Sequence, residues 1–289
     1  MKNQQVNIFA FAFLGGCLFT LAAGTQEITL PELVEIGPGV HQYRASGEFL
    51  KNGYPVEAPK IEVRFSRPLH MMKYQVTNKD YARCFADHVC GRPFKKTNIA
   101  KDDKPVTGVS FIDAQNYARW LTDKTGIVWR LPSDAEWTYS AGSRFFDDAL
   151  GAKGDPEDPS ARWLAKYQQA IDRNQKVDPV VKATGAYGAN EHGIYDQSGN
   201  VWEWTSTCYR RSKITKTGEL TSSDTGNCGV RVVEGKHRSY MTFFVQDAKS
   251  GGCAVGTPPD HLGFRLVRDN PPFFSVRRMR NWWTSMTNG

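Results

Sequence analysis

Beyond residue 24 the chain has no apolar run long enough to cross a bilayer, which excludes a helical membrane span in the body of the protein. It has no C-x-x-C, no H-x-H and no H-E-x-x-H. Its six histidines (His41, His70, His88, His192, His237 and His261) are scattered, so the common zinc-site spacings are excluded as well. No nucleotide-binding loop, catalytic triad or paired-carboxylate spacing stands out, and there is no internal repeat. Nothing interleaves basic and aromatic residues periodically, which argues against a nucleic-acid partner. The segment 271–289 has no acidic residue at all.

What is present begins with MKNQQVNIFAFAFLGGCLFTLAAG. Lys2 supplies a short positive segment, Ile8 to Ala23 an apolar one, and Ala22-Ala23-Gly24 small residues for a signal peptidase. Residues 1–24 are therefore expected to be an export signal, and the mature protein to be periplasmic or secreted. A lipoprotein anchored through Cys17, in Leu14-Gly15-Gly16-Cys17, is the alternative. The formal charge of +7 includes Arg277, Arg278 and Arg280 in the basic aromatic tail 271–289. That tail, with Phe273, Phe274, Trp282 and Trp283, suits an acidic protein partner or an anionic surface.

Of the six cysteines, cleavage removes Cys17 and leaves Cys84, Cys90, Cys208, Cys228 and Cys253. An oxidising compartment favours disulfides, and an odd count leaves at least one thiol over. Cys84–Cys90 would close a small loop and Cys208–Cys228 a larger one, leaving Cys253, but spacing alone does not fix this pairing. Eight tryptophans and 26 glycines predict many tight turns around an aromatic core, an α+β fold rather than a bundle of long helices.

Along the chain, Pro31–Ile36 and Met72–Val76 read as strands, and Thr77 or Asn78 caps a helix through Arg83. Ser110 caps a second helix, with Ala114, Tyr117, Ala118 and Leu121 on one face and Gly126 at its end. Ser133 and Glu136 have the spacing of a capping box. Residues 143–190 read as an insertion with a helix at Trp163–Ile171, and 211–228 as a polar loop. Strands are expected at 230–234, 240–246 and 262–268. No linker precedes Asn270-Pro271-Pro272, so 25–270 is taken as one domain.

Several segments in order resemble one family. Tyr74–Tyr81 is similar to its E-V-T-N-x-x-Y entry, and Pro105–Trp120 to its P-V-x-x-V-S-W-x-D-A helix, with Phe111 at the usual tryptophan. Arg130–Trp137 resembles R-L-P-T-E-A-E-W, Gly199–Thr205 matches G-N-V-W-E-W-T, and Gly263–Leu266 matches G-F-R-L. The chain thus resembles the formylglycine-generating-enzyme (sulfatase-modifying factor) family. The resemblance implies an irregular α+β fold, distantly like C-type lectins. The segments Cys228–Arg238 and Gly251–Gly256 look closest to the NirV- and PvdO-like branch, whose NirV members imply a denitrification context.

The resemblance also implies chemistry. The family's oxidase holds Cu(I) between two thiolates five residues apart, and soft thiolates suit that ion. Aligned on Ser239-Tyr240-Met241, those positions are Thr242 and Asp247; aligned on Arg231-Val232, they are Tyr240 and Val245. Neither pair carries a thiol, so the copper oxidase reaction is not expected. Cys253 falls near a family cysteine whose partner position is Ala118 here. The family's calcium site maps to Asp196, Gly199, Val201 and Glu203, an oxygen-rich set of the kind Ca²⁺ takes. His237, Arg238, Tyr240, Asp247 and Cys253 fall where the family's pocket lies. They suit an acidic or peptide-like ligand, or a redox metal (Cu or Fe) through His237. The leading expectation is an accessory or binding protein engaging a protein partner, possible catalysis being left open; the alternative is a PvdO-like metal-dependent oxidase or oxygenase.

Overall fold

The computed structural model describes residues 29–94, 102–145, 180–215, 227–236, 238–242 and 261–269, together with 164, 168, 217, 220–222, 244 and 246. The first strands are β1 (Leu33–Ile36), β2 (Gly39–Arg44), β3 (Glu48–Lys51), β4 (Tyr54–Val56), β5 (Lys60–Phe65) and β6 (Leu69–Met72). β2 and β5 pair antiparallel from Gly39↔Phe65 to Arg44↔Lys60. β3 and β4 form a hairpin whose turn, Asn52-Gly53, has positive φ at both residues (54° and 86°). That is the backbone a two-residue hairpin turn requires, and Asn-Gly is the pair that adopts it most cheaply.

Three helices follow the caps expected from sequence. In α1 (Asn78–Ala86) the Thr77 hydroxyl accepts the Asp80 N–H at 3.1 Å. In α2 (Phe111–Thr125) Ser110 and Asp113 cap each other, and Gly126 ends the helix in the left-handed region at φ 67°. The expected apolar face of α2 is buried: Ala114, Tyr117, Ala118 and Leu121. After β7 (Trp129–Arg130) comes α3 (Asp134–Ala141), with the Ser133–Glu136 box closed in both directions. Arg130 adds a fork onto Glu136, Nη1 to Oε2 at 2.7 Å and Nη2 to Oε1 at 2.6 Å.

The remaining strands are β8 (Trp202–Tyr209), β9 (Arg211–Ile214), β10 (Leu220–Ser222), β11 (Asn227–Glu234), β12 (Ser239–Thr242), β13 (Leu262–Gly263) and β14 (Val267–Arg268). They complete three sheets, ordered β1-β6-β14-β7, β10-β9-β3-β4 and β12-β11-β8-β13, beside the β2-β5 pair. The architecture is α+β with three α-helices among the described residues and many short strands.

Several element boundaries differ from the periodicity. The strand expected at Met72–Val76 lies earlier, at Leu69–Met72, because β1 pairs there in the register Leu33↔Met72. Residues beyond Met72 instead meet the 264–266 segment through single bonds, Met72 N–H to Leu266 O and Val76 N–H to Phe264 O. The 211–228 stretch contains β9 and β10; β9 runs parallel to β3, so pairing with a distant segment overrides its polar composition. The strand expected at 240–246 shortens to β12, and 262–268 splits into β13 and β14 around Phe264-Arg265-Leu266. The helix expected at Trp163–Ile171 falls almost wholly outside the described residues. Both expected disulfides form, Cys84–Cys90 and Cys208–Cys228; Cys253 lies outside the described residues.

The larger core cluster joins α1, α2, β8 and the 262–266 segment through Tyr81, Tyr117, Trp120, Trp204, Leu262 and Phe264. Through it runs a buried ion pair, Arg265 with Glu203. Nε donates to Oε2 at 2.7 Å and Nη2 to Oε1 at 2.7 Å, with both side chains essentially sealed from solvent. Trp137 Nε1 donates to Oε2 (2.9 Å) and Gln75 Nε2 to Oε1 (2.8 Å). Arg265 also reaches the carbonyls of Met72, Lys73 and Tyr195.

Removing one partner of such a pair strands a buried charge. Arg265→Met is expected to cost about 3–5 kcal/mol. The double variant Glu203→Gln/Arg265→Met is expected to lose clearly less than the sum of the two single variants, read from urea midpoints. Glu136 gives a pH-dependent counterpart. Burial raises its pKa, but the Arg130 hydrogen bonds and charge and the Ser133 bonds outweigh burial and hold it below the ordinary carboxylate range. A carboxyl depressed on folding stabilises above its unfolded pKa, and that contribution is lost as pH falls through the folded value. Glu136→Gln should therefore cost about 1–2 kcal/mol at neutral pH. The gap from the parent protein should close in acid, which urea midpoints at pH 7 and pH 3 would test.

Candidate functional site

The segment 196–203 turns sharply, with three non-glycine residues at positive φ: Asp196 (62°), Ser198 (57°) and Asn200 (59°). Asp and Asn tolerate this region because their short polar side chains bond locally. Asp196 does so at full burial. Its Oδ2 accepts the Gly185 N–H at 2.5 Å, its Oδ1 the Tyr187 N–H at 2.9 Å, and its carbonyl the Gly199 N–H at 3.0 Å. Gly199 lies under the Tyr187 ring, where a Cβ would meet ring carbons at about 3.0 Å, so a side chain there would displace the ring. Gln197 is buried and donates to Ser140 Oγ at 2.7 Å, tying the turn to α3.

The structure thus places Asp196, Gly199, Val201 and Glu203 along one short segment running from the turn into β8, with oxygens of Asp196, Val201 and Glu203 already accepting hydrogen bonds. Each oxygen of Glu203 accepts two hydrogen bonds, which uses all its lone-pair directions. The Val201 carbonyl accepts from Gln75 Nε2 at 3.4 Å. Among the described residues no three His, Cys, Asp or Glu side chains cluster together. An ion would have to displace the Arg265 guanidinium or another donor from Glu203.

Of the pocket candidates, Arg238 and Tyr240 are described; His237, Asp247 and Cys253 lie outside the described residues. Arg238 is buried between two carboxylates. Its Nε donates to Glu234 Oε1 at 2.7 Å, and its Nη2 lies 3.3 Å from Asp134 Oδ1. Its Nη1 donates to the Arg44 carbonyl at 2.9 Å, and its guanidinium lies 5.5 Å from the Tyr43 ring. Burial, with Asp134 next, pushes the Tyr43 phenol well above its ordinary value. Burial also lowers the pKa of His41, against the pull of Asp134. Glu234 stands opposite Glu203 in the β11–β8 register. Two carboxylates facing each other there would repel, and each is matched by its own arginine, Arg238 or Arg265.

Tyr240 sits beside Arg238 but works elsewhere. Its hydroxyl accepts the Gly47 N–H at 2.9 Å, and its ring meets Tyr209 edge-on at 4.9 Å. Sequence reasoning missed Arg231 on β11. Its guanidinium lies 4.2 Å from the Phe111 ring, and Nη1 donates to the Ser206 carbonyl (2.6 Å) and to Cys208 Sγ (3.1 Å). Burial lowers its pKa, and no carboxylate among the described residues pairs with it. A lone arginine inside Gly-Val-Arg-Val-Val was the available signal.

The sequence matches the family described as "Sulfatase-modifying factor enzyme 1-like domain" over residues 19–270. The chain belongs to that family. It is 30% identical to the formylglycine-generating enzyme of Streptomyces coelicolor over 186 residues, 58% of this chain and 54% of that protein. It is also 30% identical to "Inactive C-alpha-formylglycine-generating enzyme 2" of Bos taurus, over 56% of this chain and 50% of that protein. The chain spans about half the length of these relatives. Among solved structures, PvdO from Pseudomonas aeruginosa aligns over 83% of this chain and 95% of its own, with a TM-score of 0.51 and 23% identity, a likeness of fold.

The Arg238 cluster makes a direct prediction. Arg238→Gln leaves Asp134 and Glu234 buried without their cation and should cost about 3–5 kcal/mol at pH 7. A stranded buried carboxyl has a raised folded pKa, so part of that loss should return as pH is lowered. Denaturant midpoints from pH 7 to pH 5 test both.

Proposed function

We propose that this chain is an exported accessory or binding protein built on the formylglycine-generating-enzyme fold, without that enzyme's thiolate copper centre. One observation carries the reading. The four cysteines among the described residues are all joined in the pairs Cys84–Cys90 and Cys208–Cys228, and β12, where the oxidase's first thiolate would align, offers Thr242 or Tyr240. A hydroxyl or phenol does not replace a thiolate for Cu(I). The disulfides support an oxidising compartment, in keeping with residues 1–24 as an export signal and a periplasmic or secreted location. The relative named as inactive makes a non-oxidase role a reasonable use of the fold.

In this reading the partner is a protein or a small peptide-like ligand, and the NirV-like segments favour accessory work in nitrite reductase maturation. Arg238 and Glu203 maintain the site's frame, since both are sealed and ion-paired. Calcium at Asp196, Gly199, Val201 and Glu203 rests on the family resemblance, and it requires Glu203 to give up one of its present donors.

Two measurements on the mature protein test the proposal. Incubated with Cu(I), oxygen and a cysteine-bearing sulfatase peptide, it should yield no aldehyde by mass spectrometry. Metal analysis of protein purified without chelator should find neither stoichiometric copper nor iron. Aldehyde formation, or a redox metal lost on His237→Ala, would make the chain an enzyme and sink the accessory reading. Stoichiometric calcium lost on Asp196→Ala would reinstate the cation site and leave the accessory role standing.

A further inference from the structure

The two disulfides have opposite surroundings. Cys84 and Cys90 are buried at 0% and 5% exposure, at the end of α1. Cys208, on β8, is partly buried, whereas Cys228, on β11, is exposed. The β11–β8 ladder breaks beside them. Asn227 pairs with Tyr209 and Arg231 with Cys208, so β11 advances four residues while β8 moves one. Cys228 therefore sits on a bulge, where a bond can open without dismantling a regular ladder.

Arg231 distinguishes this pair further. Its Nη1 contacts the Cys208 sulfur at 3.1 Å, and its Nε is buried without a hydrogen-bond partner. Its guanidinium has a ring and a carbonyl for company but no carboxylate among the described residues. The Asp113 carboxylate near Phe111 is occupied by Ser110 and Gln246. A cation held against a sulfur, with no carboxylate among the described residues to neutralise it, stabilises negative charge on that sulfur.

We propose that Cys208–Cys228 is a redox-active disulfide that exchanges with an external dithiol, with Arg231 as the positioning residue for the Cys208 thiolate. A thiolate of the dithiol attacks the exposed Cys228 sulfur. A new S–S bond forms there, the Cys208–Cys228 bond breaks, and its electron pair leaves on Cys208 as a thiolate against Arg231. The donor's second thiolate then attacks its own sulfur in the mixed disulfide and releases Cys228. Two electrons pass from the dithiol, which becomes a disulfide, and two protons accompany them to the Cys208–Cys228 pair as its thiols take up protons. A leaving thiol of low pKa departs faster, so Arg231 sets both the direction of opening and its rate. This inference is independent of the accessory role, because it uses neither the metal positions nor a partner protein.

The test uses the full mature chain under native conditions, with dithiothreitol as the dithiol and thiol alkylation read by peptide mass. Cys208 and Cys228 should become labelled while Cys84 and Cys90 stay joined and the circular dichroism is unchanged. With the monothiol glutathione in place of dithiothreitol, and alkylation to stop the exchange, the mixed disulfide should be found on Cys228. Thiolate absorbance should give Cys208 a pKa below the ordinary ~8.5 of a free cysteine. Arg231→Gln should slow opening about tenfold and return that pKa towards the ordinary value, while Arg231→Lys keeps most of both. Each variant is read only with Cys84–Cys90 intact and native circular dichroism. The proposal is overturned if the two disulfides open together and only on unfolding. It is equally overturned if Arg231→Lys, folded, behaves like Arg231→Gln in rate and thiol titration, or if neither differs from the parent.

Discussion

The fold depends on one buried charge pair. Glu203 enters the core on β8 and Arg265 arrives between β13 and β14, so their contact joins two sheets. Trp137 brings in α3 and Gln75 the segment leading to α1, while Arg265 spends its remaining donors on carbonyls at Met72, Lys73 and Tyr195. In a low-dielectric interior a charge is tolerated only when its partners are all in place. That condition turns a set of short strands and turns, each too small to persist alone, into one cooperative arrangement. It also commits Glu203 to this frame, so any ligand role for its carboxylate competes with the core itself.

A second buried arginine–carboxylate group lies one strand away. Arg238 sits between Glu234 and Asp134, and Asp134 is the first residue of α3. The helix N-terminus adds its own positive end to a place that already holds a guanidinium, which is why two carboxylates can share it. Two arginine–carboxylate groups therefore flank the β8–β11 pairing, and α3 answers to both. Outside these paired groups, the same face holds Arg231, Phe111 and the Cys208 sulfur. Unlike Arg238 and Arg265, Arg231 has no carboxylate partner among the described residues, and it lies against a sulfur.

The short-range chemistry of the chain was legible in its sequence, because it depends on residues within a few positions of each other. The caps at Thr77, Ser110 and Ser133 and the apolar face of α2 follow from side-chain reach and helical period alone. The ordered motifs from Tyr74 to Leu266 carried the family, since they combine fixed turns with buried tryptophans such as Trp137, Trp202 and Trp204. The proposed pairing of cysteines agreed with the structure, although spacing could not have decided it.

Only the tertiary structure decided which polar residues are frame and which are available. Arg238 and Tyr240 looked alike as pocket candidates, yet one is sealed by two carboxylates and the other stands on Tyr209 and Gly47. The family resemblance implied Glu203 as an oxygen ligand; its neighbours in space, Arg265, Trp137 and Gln75, come from three other segments. β9 was invisible in a polar stretch because its reason to be a strand is β3, over 150 residues earlier in the chain. Local sequence determined caps, turns, cysteines and family; long-range contact decided charge compensation, because the partner of a buried charge is set by which segments meet and not by how far apart they lie along the chain.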